Sequence, residues 1–223
     1  MLTRDFLMNA DCQSSFGSIE PHLVLSTEQR KASLSRFLAE LPPREPIWVF
    51  GYGSLMWNPV LDYREVQPAQ LDGWQRAFCI RLIAGRGTGC TPGRMLALKA
   101  GGQTRGLVFR LNETTRATEL ELLWKREMIT GCYCPRWQKV TLDNGREITA
   151  LVFTINTEHP LYEPDDSPAI IAPLIAAARG PLGTNARYLY ELVNSLAALG
   201  APDEKLNMLA SQVRACCPEH DAY

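Results

Sequence analysis

Two strand-like runs, Trp137–Leu142 and Glu147–Ile155, are separated by Asp143-Asn144-Gly145. Asn-Gly between such runs supplies the positive-φ positions of a tight hairpin turn, so the two runs pair antiparallel. A lone hairpin is marginal in water, so more strands or helices must cover it. Ile47–Phe50, Gly73–Ile80, Met95–Leu98 and Gly106–Leu111 read as those strands. In Gly73–Ile80 the residues Trp74, Phe78 and Ile80 share a face, interrupted by Arg76, which reads as a strand-edge ion pair. Gly101-Gly102 reads as a short turn between its neighbouring strands. Strands joined that closely imply an antiparallel or mixed sheet.

Helical signals surround these runs. Ser26-Thr27-Glu28-Gln29 has the form of a capping box. Leu34, Phe37, Leu38 and Leu41 follow at helical spacing, and Pro42-Pro43 stops them. Further helices are expected over 118–130, from Ser167-Pro168 to Gly180, from Thr184 to Gly200 and from Asp203 through Val213. Pro173 implies a kink or a later start in the second of these.

At 223 residues the chain suits one domain. A net charge of −1 and the absence of any basic run argue against nucleic acid as a partner. No stretch approaches 18 apolar residues and the first residues do not resemble a signal peptide, so no membrane partner is expected. Cys12, Cys79, Cys90, Cys132, Cys134, Cys216 and Cys217 are odd in number and irregularly spaced. That is no disulfide framework, and a reducing cytoplasm fits.

Two features carry chemistry. The first is Gly51-Tyr52-Gly53-Ser54, which breaks the strand ending at Phe50. Its glycines permit positive φ and close approach of a ligand, and its N–H groups could converge on an anion. An ordinary glycine-rich turn is the alternative. The sequence Gly-Tyr-Gly-Ser-Leu-Met is neither a Walker A loop nor a dinucleotide fingerprint. The second feature is Glu127. Leu120, Leu123 and Trp124 form an apolar helical stripe, with Glu119, Glu121, Lys125 and Arg126 off it. Seven residues after Leu120 the same stripe reaches Glu127, a carboxylate where a core residue belongs. Such a group needs a partner or a raised pKa. A structural ion pair and a general base both satisfy that requirement.

Other constellations are weaker. Cys132 and Cys134 form C-x-C, Cys216 and Cys217 are adjacent, and only His22, His159 and His220 could add nitrogen ligands. That spacing does not suit zinc. His159 before Pro160 reads as a surface histidine, and Asp165-Asp166 as a solvated face. Ser54 lacks a Gly-x-Ser-x-Gly context. Gly85 to Gly89 reads as a mobile loop.

Phe50-Gly-Tyr-Gly-Ser-Leu55, with Trp124-Lys-Arg-Glu127 and Tyr133 downstream, resembles the ChaC-type γ-glutamylcyclotransferases. Pro92-Gly93-Arg94 and Gly183 to Leu189 extend the resemblance, which covers roughly 46–215. It implies an α+β fold, a mixed, partly closed barrel-like sheet with surrounding helices. Residues 1–46 would be an extension with one helix, 47–215 the γ-glutamylcyclotransferase-like domain, and 216–223 a tail. It implies cleavage of glutathione to 5-oxoproline and cysteinylglycine without metal or nucleotide. The substrate-binding loop maps onto Val49, Phe50, Gly51, Tyr52, Gly53 and Ser54, and the proton acceptor onto Glu127. Tyr133 could orient the substrate or simply pack. Arg81 and Arg94 are candidates for the glycine carboxylate. Action on other γ-glutamyl amino acids or amines, or a non-catalytic γ-glutamyl-ligand or protein-binding role, are the alternatives.

Overall fold

The computed structural model describes residues 2–9, 16–41 and 45–216. Cys12, Pro42-Pro43, Cys217, His220 and the rest of the expected tail lie outside the described residues. In chain order the elements are α1 (Arg4–Met8), α2 (Thr27–Ala39), β1 (Trp48–Gly51), β2 (Tyr63–Leu82), β3 (Gly93–Leu111) and α3 (Arg116–Glu127). Then follow β4 (Tyr133–Leu142), β5 (Glu147–Ile155), α4 (Pro168–Ala177), β6 (Arg179–Gly180), β7 (Gly183–Thr184), α5 (Asn185–Ala198) and α6 (Glu204–Cys216). The first 46 residues thus hold the short α1 besides the expected helix α2, and α6 runs through Cys216.

β4 and β5 pair antiparallel from Tyr133 opposite Ile155 to Thr141 opposite Glu147, joined at the Asn-Gly turn. The sheet closes into a barrel in the order β1-β3-β2-β4-β5. Closure comes from β1, which pairs antiparallel with β3 and parallel with β5. The α+β expectation holds, and the barrel is closed rather than partly closed.

Gly101-Gly102 is not a turn between two strands. β3 runs straight through it as one 19-residue strand beside the 20-residue β2. The pairing slips between Asp72 and Trp74, opposite Gln103 and Ala100. Gly73, Gly101 and Gly102 there take φ of 79°, 109° and 66°. Such an irregularity bends a paired ribbon sharply, which a small barrel needs to close. Glycine in a strand therefore marks a corner here, not an end.

Two cores meet at β1. Phe50 faces Leu71, Phe78, Leu98 and Val152, over which Ile175, Leu189, Leu192 and Leu209 of α4 to α6 pack. Val49 faces the other way, toward Phe109, Phe153, Phe37 and the stripe Leu120, Leu123 and Trp124. Alternation of side chains along a strand accounts for a β1 that is buried on both faces. The capping box of α2 forms as expected, with Gln29 N–H to Ser26 Oγ at 3.1 Å and Ser26 N–H to Gln29 Oε1 at 2.7 Å. α4 continues through Pro173 from its start at Pro168. Among the described residues no helix is long and apolar enough to cross a membrane.

α3 is buried on a second side that its stripe does not reveal. Glu119 is fully buried and accepts two bonds from the Arg4 guanidinium, one at 2.7 Å, and one from the Asp62 N–H at 3.0 Å. Leu122 packs with Leu7 and Phe16. Lys125 donates to the Leu7 carbonyl at 3.4 Å. Of the residues off the stripe, Glu119 and Lys125 thus meet the N-terminal segment, while Glu121 is exposed.

Candidate active site

β1 ends at Gly51, and the chain turns at Tyr52 to Ser54, where Met56 N–H reaches the Gly53 carbonyl at 2.8 Å. Neither Gly51 nor Gly53 has a positive φ. They are needed for space instead. A Cβ on Gly51 would lie 3.0 Å from Leu55 and from Phe109, and one on Gly53 2.8 Å from the Tyr188 hydroxyl. Arg76 supports the turn from behind. Its Nε donates to the Tyr52 carbonyl at 2.8 Å and its Nη2 to the Arg105 carbonyl. Arg76 therefore serves backbone oxygens rather than an edge ion pair, and burial lowers its pKa to about 10.

The turn opens on a cavity of about 240 Å³. Tyr52, Gly53, Ser54, Glu127 and Tyr133 all line it. Val49, Phe50 and Gly51 do not. They lie in β1, where their side chains and pairing serve the two cores. The N–H groups of Gly53 and Leu55 have no hydrogen-bond partner among the described residues, and both residues line the cavity. They are donors available to an anion.

Glu127 is the last residue of α3, earlier than the expected helix end at Gly131. Gly131, with φ of 77°, turns the chain into β4 instead. The Glu127 side chain is 17% exposed and pairs with Arg126, Nε to Oε1 at 2.9 Å. Burial raises its pKa, while the charge and hydrogen bond of Arg126 hold it down; the net shift is upward. The helix C-terminus adds a further disadvantage for a negative charge. This carboxylate therefore has an ion-pair partner and also faces the cavity.

Arg126 was legible only as a charge off the stripe, yet it organises the site. Its Nη1 donates to the carbonyls of Asn58 at 2.7 Å and Pro59 at 3.2 Å, and its Nη2 to Ser54 Oγ at 2.8 Å. The next residue, Val60, has φ of 56°. That is a costly conformation for a β-branched residue, and its carbonyl is gripped by Arg4 at 3.4 Å. Tyr188 was also missed as a site residue, though it falls on the apolar face of α5. Its hydroxyl lies within hydrogen-bonding reach of Ser54, and burial pushes its pKa up to about 12.

The tyrosines flanking Glu127 are anchored. Tyr52 Oη donates to the Phe153 carbonyl at 2.8 Å and Tyr133 Oη to the Leu96 carbonyl at 2.7 Å. Burial raises both pKa values well above the usual tyrosine value, so both stay neutral. Cys132 also lines the cavity. It contacts Thr130 Oγ1 at 2.9 Å and His159 Nδ1 at 3.4 Å. His159 Nδ1 accepts from Leu161 N–H at 3.1 Å, so its Nε2 carries the proton toward the Thr130 carbonyl at 2.8 Å. His159 is thus a half-buried brace, not a free surface residue. Burial pushes the Cys132 thiol up to about 11, which keeps it a thiol rather than a nucleophilic thiolate.

Arg94 is buried beside Glu163 at 3.6 Å and does not line the cavity, whereas Arg81 does. Asp166 pairs with Lys99 at 3.0 Å, so it is not simply solvated. Among the described residues no cluster of His, Cys, Asp and Glu could hold a metal ion.

Comparison with known proteins shows the family and the fold. The family profile of ChaC-like proteins matches residues 47–216. The glutathione-specific γ-glutamylcyclotransferase of Escherichia coli K12 is 57% identical over 220 residues, covering 99% of this chain and 95% of that protein. The protein of the same name from Schizosaccharomyces pombe is 30% identical over 195 residues, covering 78% of this chain and 95% of that protein. A yeast crystal structure of a γ-glutamyl cyclotransferase specific to glutathione has the same fold, with a TM-score of 0.73 at 23% identity over 80% of this chain and all of that one. A profile match across the barrel, the turn and Glu127 makes this chain a member of the ChaC-like protein family.

Proposed function

We propose that this protein is a glutathione-specific γ-glutamylcyclotransferase, cleaving glutathione to 5-oxoproline and cysteinylglycine. The observation that carries the reading is the meeting of Glu127 with the Gly53-Ser54 turn in one cavity. The relatives named above support the choice of glutathione as substrate. Residues 47–216, the span that the family profile matches, form the catalytic domain, and the residues before 47 extend it.

The substrate α-carboxylate sits against the N–H groups of the turn. Val49, Phe50 and Gly51 hold that turn in place from the strand behind it, and Tyr52, Gly53 and Ser54 form its surface. Glu127 takes a proton from the α-amine. The amine nitrogen then bonds to its own γ-carbonyl carbon and closes a five-membered lactam. The amide C–N bond breaks as Glu127 returns the proton to the departing cysteinyl amine. Attack within one molecule gains most of its rate from holding the right conformer. A carboxylate of raised pKa suits both proton transfers. Neutral Tyr133 and Tyr52 wall the acid and keep water from it. No step draws on a metal or nucleotide. The free thiols of Cys79, Cys90, Cys132, Cys134 and Cys216 suit a reducing cytoplasm.

Glu127→Gln keeps the shape and removes the proton carrier. Release of 5-oxoproline from glutathione is expected to fall by at least about 10²-fold. An unchanged rate would remove Glu127 from the mechanism. Wild-type protein that leaves glutathione intact would overturn the activity itself.

A further inference from the structure

The turn and Glu127 account for the γ-glutamyl half of the substrate but not for the half that leaves. The remaining cavity wall is unusual in its origin. Leu2, Phe16 and Ile19 line it, and all three lie before residue 47, outside the span that the family profile matches. They are not loosely draped. The Phe16 carbonyl accepts from Gly85 N–H at 2.6 Å, and the Gly85 carbonyl accepts from Leu182 N–H at 2.8 Å. These bonds clasp the N-terminal arm, the 84–87 loop and the β6–β7 hairpin together. The loop expected to be mobile is therefore pinned. At the other end of the arm, the Leu2 carbonyl accepts from Asn58 Nδ2 at 2.8 Å, and Asn58 is itself held by Arg126.

Cations at the cavity separate by whether they are already engaged. Arg126 pairs with Glu127, Arg187 pairs with Glu191 at 3.7 Å, and Arg86 donates to the Thr184 carbonyl at 3.0 Å. Arg81 lines the cavity from an exposed position, and its side chain has no hydrogen-bond or ion-pair partner among the described residues.

We propose that the N-terminal arm and Arg81 together form the leaving-group subsite: Phe16 and Ile19 pack against the leaving residue's side chain, and Arg81 pairs with the terminal carboxylate. The inference rests on the cyclotransferase reading and deepens it. It makes a peptide with a free carboxylate the preferred leaving group, over a single amino acid or an amine. An apolar wall recognises a small thiol side chain by exclusion of water. A guanidinium recognises the carboxylate by charge-assisted hydrogen bonds.

The test uses full-length protein and three substrates: glutathione, its glycyl monoethyl ester and γ-glutamylalanine. Wild type should show a KM for the ester about tenfold above that for glutathione, the worth of one charge-assisted contact. Arg81→Gln should raise KM for glutathione about tenfold with kcat held, and leave the ester within about twofold. Ile19→Ala should raise KM for glutathione and spare γ-glutamylalanine. Ile19 is only half-buried, so this variant tests the wall without emptying a core, and a thermal melt checks that both variants fold. Equal losses on glutathione and ester for Arg81→Gln, or no loss on either, would overturn the carboxylate assignment. An Ile19→Ala effect equal on all three substrates would overturn the arm's role. Wild type inactive on every γ-glutamyl compound would instead overturn the activity on which the subsite depends.

Discussion

Arg126 and Glu127 are consecutive residues whose side chains pair, Nε to Oε1 at 2.9 Å, at the point where α3 ends. The pairing sets the acidity of the cavity's carboxylate. Burial pushes the Glu127 pKa up, and Arg126 opposes that push. Arg126→Gln removes the opposition, so Glu127 should hold its proton to higher pH. The acid limb of the kcat/KM profile should move toward neutrality, as measured by 5-oxoproline release across pH. Arg126→Lys keeps a charge but loses the fork that also grips Ser54 and Asn58. It should leave the limb near its wild-type position while lowering kcat. A limb that does not move in Arg126→Gln would mean that Arg126 does not tune the base.

The same shift predicts a pH-dependent stability difference. A carboxyl whose folded pKa is raised above its ordinary 4.5 is bound to its proton more tightly when folded. Its contribution to stability is complete below the ordinary value and is lost as pH rises through the raised one. Glu127→Gln does not titrate. Its melting temperature should therefore gain on wild type as pH rises through that window, then hold a constant lead. A lead that shrinks with rising pH would contradict an upward shift.

Arg4→Ala strands Glu119 in the core with only the Asp62 N–H beside it. Removing one partner of a buried pair costs about 3–5 kcal/mol. Arg4 is 38% exposed, so water partly replaces it and about 2–3 kcal/mol is expected. The urea midpoint should fall with the m-value unchanged. Replacing Glu119 and Arg4 together by Leu and Met should cost less than Arg4→Ala alone.

Gly53→Ala separates room from flexibility at the turn. The added Cβ would meet the Tyr188 hydroxyl at 2.8 Å and Leu96 at 3.1 Å. Since φ at Gly53 is not positive, the backbone itself tolerates alanine. Activity should fall by about 10²-fold through displaced groups, with little change in melting temperature. A variant that keeps full activity would mean that Tyr188 and Leu96 yield to the added Cβ without moving any group that the reaction uses.

The sequence made the hairpin, the capping box and the stripe of α3 legible, because turn chemistry and helical spacing are local. Glu127 was found because it breaks that stripe. Glu119 was not, because its burial depends on Arg4, a residue far off in the chain. Arg126 and Arg76 were discounted for a similar reason: both bond backbone carbonyls brought in from other parts of the chain, which leave no trace in side-chain spacing. Gly101-Gly102 misled because glycine pairs mark both turns and strand corners, and only the 20-residue partner strand decides between them. Val49 and Phe50, which the family resemblance placed in the substrate-binding loop, send their side chains into opposite cores.

The bond between Arg4 and Glu119 joins positions 115 residues apart. During translation Arg4 leaves the ribosome long before Glu119 is made, so the arm must wait undocked while most of the barrel is still being synthesised. The arm's share of the cavity wall is thus made well before the helix that its Arg4 anchors to. The arm gains its support on α3 near the middle of synthesis, and the cavity is complete only later, when Leu182 and Tyr188 have followed.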